Sequence, residues 1–237
     1  MILNLHLRSI WVLIAVLLIN CQSTPHPEDK LTHMLRLMCG TSGKNIERHS
    51  RVAVLHTPDQ DYDYGLTTGH GVPLDRPCIV RDFEGRLRSV ISIQYAPNYK
   101  SGTNDDWAVI KFKPIKTPRL VRFEMEPIEA NSAINGLQVN FARALALPEN
   151  FQNCQLELLN FKSQKQWVSH NCRSIPGQSG SPISISKDGE EKLIGLNIGR
   201  LWLIKNPNTG RPSRNGYVFL LNTETVEKIE KTILSLS

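Results

Sequence analysis

From residue 50 onward, apolar and polar positions alternate in short runs, and residues that favour turns interrupt each run. A period of two marks half-buried strands. In the first half of the chain, residues 51–56 (RVAVLH), 64–68, 78–81, 89–95 and 107–112 fit that pattern. In the second half, 138–142, 155–161, 167–170, 182–186, 192–198 and 217–221 do so. Asp82-Phe83-Glu84-Gly85 separates two of the runs as a hairpin turn, and Lys187-Asp188-Gly189 is a hairpin signal of the Asp-Gly kind. Residues 113–127 carry Pro114, Pro118 and Pro127 without periodicity and predict a connection between two domains. Only residues 223–236 predict a helix, with Val226, Ile229, Ile233 and Leu236 on one face and Lys and Glu on the other. Many short, evenly spaced strands followed by a terminal helix predict an all-β sandwich or a pair of barrels.

The N-terminus reads differently. Arg8 precedes an apolar run at 10–19 (IWVLIAVLLI), about ten residues long, which suits the core of a secretory signal and is short for a membrane span. Cleavage before Cys21, after a stretch similar to a lipoprotein signal but with Asn20 at a position that usually holds a smaller residue, is one reading. Cleavage after Ser23 is the other. Both place the chain outside the cytoplasm, secreted or periplasmic, with membrane attachment only if Cys21 is lipidated. A polar, proline-containing linker follows at 24–30. The formal net charge of +6 is scattered, with no run of Lys or Arg longer than two, and nothing in it calls for a nucleic-acid partner.

Besides Cys21, the chain has Cys39, Cys78, Cys154 and Cys172. None forms a C-x-x-C pair, so a zinc site is not expected, and an oxidising compartment favours two disulfides. Three connectivities are possible; Cys39–Cys78 with Cys154–Cys172 keeps each bridge within one half of the chain and is preferred.

The strongest chemical signal is Gly177-Gln178-Ser179-Gly180-Ser181-Pro182. A serine between glycines suits a nucleophile: Gly177 lets the backbone turn so that its N–H and that of Ser179 can hold the oxyanion of an acyl-transfer transition state. Such a serine needs a neighbouring base, and the base needs a carboxylate to orient it. His70 closes Leu66-Thr67-Thr68-Gly69-His70, at the end of a strand-like run. Asp106, preceded by Asp105, opens the apolar run Trp107-Ala108-Val109-Ile110.

The segments TTGH, DDWAVIKF and GQSGSP resemble the T-A-A-H, D-[I/W]-A and G-[D/N]-S-G-[G/S]-P motifs of chymotrypsin-like serine peptidases, in the same order. Bacterial members such as the glutamyl endopeptidase family are the most similar, with an N-G-x-V-F-like segment before a terminal helix, matched by Asn215-Gly216-Tyr217-Val218-Phe219. The resemblance implies two packed six-stranded antiparallel β-barrels, at residues 40–125 and 126–222, after an N-terminal segment at 24–39 and before a helix at 223–237. It implies His70 as general base, Asp106 rather than Asp105 as its orienting carboxylate, Ser179 as nucleophile, and Gly177 and Ser179 as oxyanion donors. Neither a metal nor an organic cofactor is expected; the partner is a polypeptide substrate, and the chain is expected to be a monomer.

The departures from the pattern bear on maturation and specificity. Gly71 stands where animal enzymes carry a cysteine, so the usual bridge beside the histidine is absent or re-routed. Gln178 replaces the aspartate that pairs with a freed N-terminus in zymogen-activated members, so maturation by that switch is not expected. The primary pocket falls to Arg173, Ser174, Asn197 and Gly199. Asn197 stands where glutamyl endopeptidases have histidine, which argues against a strict acidic preference unless Arg173 turns inward. His26, His33, His49, His56 and His170 show no ligand spacing and read as surface or packing residues. The rival reading is an exported binding protein that keeps the fold and has lost the activity.

Overall fold

In a computed structural model, residues 34–40, 48–142, 151–160, 166–200 and 215–237 are described. The signal-like stretch, Cys21, the linker with His26, and His33 lie outside them. Among the described residues, thirteen strands and one α-helix make up most of the regular structure. They are β1 (Leu35–Cys39), β2 (Arg48–Leu55), β3 (Asp63–Thr67), β4 (Cys78–Arg81), β5 (Leu87–Tyr95), β6 (Ala108–Phe112), β7 (Glu124–Met125), β8 (Gln138–Ala142), β9 (Phe151–Asn160), β10 (Gln166–Arg173), β11 (Pro182–Lys187), β12 (Glu190–Arg200), β13 (Asn215–Leu220) and α1 (Thr223–Leu236).

The strands close into two six-stranded antiparallel barrels. The first runs in the order β1-β2-β3-β6-β5-β4 and closes where β4 pairs with β1. The second repeats that order as β8-β9-β10-β13-β12-β11 and closes where β11 pairs with β8. The N-terminal segment predicted for 24–39 is corrected here: Leu35–Cys39 is a barrel strand, paired with both β2 and β4. Its leucines and methionine have weak strand propensity, and pairing on both sides overrides it.

Alternation along the strands sorts the core into three parts. On β2, Val52 and Val54 face the interior of the first barrel with Leu35, Leu37, Ile110 and Phe112. Ala53 and Leu55 face the other way, into a core shared by both barrels with Tyr64, Trp107, Phe123, Leu193, Leu196, Ile198 and Phe219. The second barrel is filled by Val139, Phe141, Leu156, Val168, Ile183, Ile194 and Val218. All five residues of β6 are buried because both of its faces are covered.

The predicted connection at 113–127 does more than link. Buried Asp63 fastens it by accepting from the Ile115 N–H at 2.9 Å and by pairing with Arg122 at 3.1 Å. The segment then adds β7 to the second barrel, parallel to β12. Helix α1 is capped by Asn222, whose side chain accepts from Thr225 N–H at 2.9 Å. Its Ile229 is buried in the shared core, with Val226, Ile233 and Leu236 packed alongside.

Candidate active site

His70 sits in a 3₁₀ turn, Gly69–Gly71, one residue past β3. Asp106 directly precedes Trp107 and β6, the strand that pairs with β3, so adjacent strand ends bring the two side chains together. Asp106 is wholly buried; its Oδ2 lies 2.8 Å from His70 Nδ1, and its Oδ1 accepts from the His70 N–H at 2.8 Å. The Gly102 N–H adds a third bond, at 2.6 Å to Oδ2. Asp106, not the partly exposed Asp105, faces the histidine. Burial works to raise the Asp106 carboxyl, but the hydrogen bond and charge of His70 and the N–H groups of Gly102 and His70 outweigh it, so its pKa lies below the usual carboxylate range. An ionised carboxylate only accepts, so Nδ1 of His70 carries the proton and Nε2 presents a lone pair.

That lone pair faces Ser179. The Ser179 Oγ lies 3.1 Å from His70 Nε2 and 2.8 Å from the Ile198 carbonyl oxygen. The Ser179 carbonyl is held from the first barrel, accepting from the Arg51 N–H and from Ser50 Oγ, both at 2.7 Å. Gly180 fits beneath this grip because a side chain there would strike the Arg51 carbonyl, Thr67 Oγ1 and Ser50 Oγ. Ser50 also stands against Gly71, so a hydroxyl and a glycine occupy the place where the resemblance implied a missing bridge.

The oxyanion loop is a tight turn. Gln178 N–H donates to Ile175 O at 3.2 Å, and Gly177 has φ +85°, as the third residue of a type II turn led by Pro176 requires. A type I turn would reverse the peptide between Pro176 and Gly177. Among the described residues, no hydrogen bond occupies the N–H of Gly177 or of Ser179. Gln178 Oε1 accepts from Ile175 N–H at 2.8 Å, so the loop's own side chain braces it.

Behind the nucleophile lies a ring of buried polar groups. Asn197 Nδ2 donates to Gln178 O at 3.0 Å and to Ser174 Oγ at 3.2 Å, while Asn197 Oδ1 lies 3.1 Å from His170 Nε2. His170, Ser174, Gln178 and Asn197 are all buried. Burial lowers the His170 pKa to about 4 despite hydrogen bonds to Asn197 and to the Cys172 backbone that act to raise it, so its imidazole is neutral near pH 7 and the ring carries no charge. The sequence reads His170 as a surface or packing residue; the structure buries it against Asn197, beside the candidate pocket residue Ser174. Of the other pocket candidates, Gly199 is half-buried and Arg173 is exposed.

Tyr217 is another residue missed by the sequence reading; its hydroxyl donates to the Gly102 carbonyl at 3.4 Å. Burial and the nearby Asp106 charge raise its pKa. Ser50 belongs to no motif, Tyr217 fills the unspecified position of the N-G-x-V-F-like segment, and Thr67 lies inside TTGH.

The sulfurs of Cys39 and Cys78 are bonded, with Cα atoms 4.2 Å apart, and so are those of Cys154 and Cys172, at 5.4 Å. Cys154, His170 and Cys172 bring possible metal ligands within 4.8 Å of one another, but the disulfide removes both thiolates. Among the described residues, no helix is long and apolar enough to cross a membrane.

No protein-family model matches the chain, and no curated protein matches its sequence. Solved structures match its fold. HL collagenase is 13% identical, with 86% of this chain and 94% of that one covered and a TM-score of 0.61. A thermostable serine protease, AL20, from an extremophilic microorganism is 10% identical, with 85% and 96% covered and a TM-score of 0.56. At such identities the likeness is one of fold, and the fold is the chymotrypsin-like pair of six-stranded barrels.

Proposed function

We propose that this protein is an exported serine endopeptidase that hydrolyses peptide bonds through an acyl-enzyme. The observation that carries the reading is the unbroken chain Asp106–His70–Ser179, with contacts of 2.8 and 3.1 Å, beside two unoccupied backbone donors. His70 Nε2 takes the Ser179 proton as Oγ attacks the scissile carbonyl. The N–H groups of Gly177 and Ser179 receive the developing oxyanion, and buried Asp106 stabilises the imidazolium. His70 then returns the proton to the departing amine, and water repeats the cycle on the ester. Both matched structures are named as peptidases, in keeping with this chemistry. The two disulfides fit an oxidising compartment.

A fluorophosphonate probe tests the reading. Labelling of Ser179 is expected, and Ser179→Ala should abolish it and lower turnover by roughly 10⁴ or more. No labelling of the native protein would leave the idle binding protein as the better account.

The pocket supports a finer statement: the enzyme is not a strict glutamyl endopeptidase. A substrate carboxylate entering it would meet the neutral Asn197–His170–Ser174 ring, which offers no charge against the cost of desolvation. Polar or medium-sized side chains suit it better. Cleavage of a peptide library confined to the carboxyl side of Glu, and lost in Arg173→Ala, would overturn this.

A further inference from the structure

Strand pairing sets Arg51 of β2 directly opposite Arg36 of β1, and Arg36 directly opposite Arg81 of β4. Residues so paired share a face, so three guanidinium-bearing side chains cross three strands in one row, an arrangement that repulsion disfavours. His49, two residues before Arg51, joins that face, with its Nδ1 3.0 Å from Arg36 Nη2. Among the described residues, no carboxylate pairs with any of the three arginines. Arg51 Nε and Nη1 are buried without a hydrogen-bond partner, and burial, then the neighbouring Arg36, pull its pKa down to about 10. Buried cationic donors left unfilled are costly.

The row begins beside the nucleophile, because the Arg51 N–H is one of the two groups holding the Ser179 carbonyl. On β2, the face that carries His49 and Arg51 continues through Ala53 and Leu55 into the core shared with the second barrel. The turn around His70 has different neighbours on its two sides. Gly69 lies against Tyr99 and Asp106, whereas Gly71 lies against Ser50. On the peptidase reading, the residue before the scissile bond is taken by Ser174, Asn197 and Gly199, which belong to the second barrel. With that residue on the second-barrel side, the leaving-group half lies on the first-barrel side of Ser179, where Ser50 and Arg51 of β2 hold the Ser179 carbonyl.

We propose that Arg36, Arg51, Arg81 and His49 form a subsite for carboxylates on the leaving-group side, so that the enzyme favours polypeptides with Asp or Glu within the first three positions after the scissile bond. A carboxylate there accepts from a guanidinium fork in two parallel bonds, which a neutral amide matches in shape but not in charge. The inference rests on the peptidase reading, and the two are separable by experiment.

Three internally quenched peptides, identical except for Glu, Gln or Lys at the second position after the cleaved bond, are compared by kcat/KM. The Glu peptide is expected to be cleaved about tenfold faster than the Gln peptide, and the Lys peptide more slowly than either, with the spread shrinking as salt is raised. In Arg36→Gln/Arg51→Gln the Glu preference should fall to near unity. Equal rates for the three peptides in the native enzyme, or a preference that survives in the double variant, would overturn the subsite. Anisotropy of a labelled peptide matching the acidic leaving-group half needs no turnover: the native protein should bind it about tenfold more tightly than the Gln counterpart, and equal binding again rejects the subsite. Absence of both hydrolysis and fluorophosphonate labelling counts against the peptidase reading alone.

Discussion

His170 shows how burial can fix the charge of a side chain and of the polar groups around it. The folded protein holds the His170 imidazole neutral, with its pKa lowered to about 4 chiefly by burial, whereas the unfolded chain takes up a proton near the ordinary 6.5. The stability this neutrality contributes is therefore complete above about 6.5 and is lost as pH falls toward 4, on the order of 3 kcal/mol over that window. Melting temperature measured from pH 7 to pH 4 is expected to fall more steeply in the native protein than in His170→Gln; parallel curves would show that His170 does not govern the acid limb. Nothing in the sequence around residue 170 announces this role, because the histidine acts through Asn197, a partner distant along the chain. His70 and Ser179 were easier to single out, since His70 ends a run of small residues and Ser179 lies between Gly177 and Gly180, while Asp106 stood out by its place directly before Trp107-Ala108.

At the scale of the element, strands were read from alternation with ends a few residues off, and those missed were the ones alternation could not reveal. Strand β1 looks helical in composition, and β7 has only two residues and exists because β12 offers it an edge. The Lys187-Asp188-Gly189 hairpin was readable because its geometry needs positive φ at two successive positions, which the chain supplies at Asp188 (55°) and Gly189 (81°). The bridge Cys154–Cys172 joins neighbouring strands β9 and β10, and β10 leads straight into Ser174 and the oxyanion turn. With its cysteines 18 positions apart in sequence, it is worth up to about 3 kcal/mol in the chain-entropy view. Mild reduction is expected to lower peptidase turnover before the first barrel unfolds, followed by activity alongside hydrogen exchange in β2, β3 and β6; simultaneous loss of both would show that the bridge supports the whole molecule.

Over the whole molecule, the same strand order is used twice although the two halves share no sequence repeat, so the barrels are alike in topology and not in residues. Motif order along the chain made this architecture predictable, because His70 and Asp106 fall in one half and Ser179 in the other. What it could not convey is that Ser50 and Arg51 reach across to hold the Ser179 carbonyl. That grip has a consequence for a chain still folding. On the peptidase reading neither barrel works alone: the first lacks the nucleophile, and the second lacks both the base and the anchor of the Ser179 carbonyl. On that reading, activity arises only after the halves have docked, and partly folded copies crowded together are spared from digesting one another. In refolding experiments, regained turnover should lag behind regained strand content, and the lag should lengthen in Ser50→Ala.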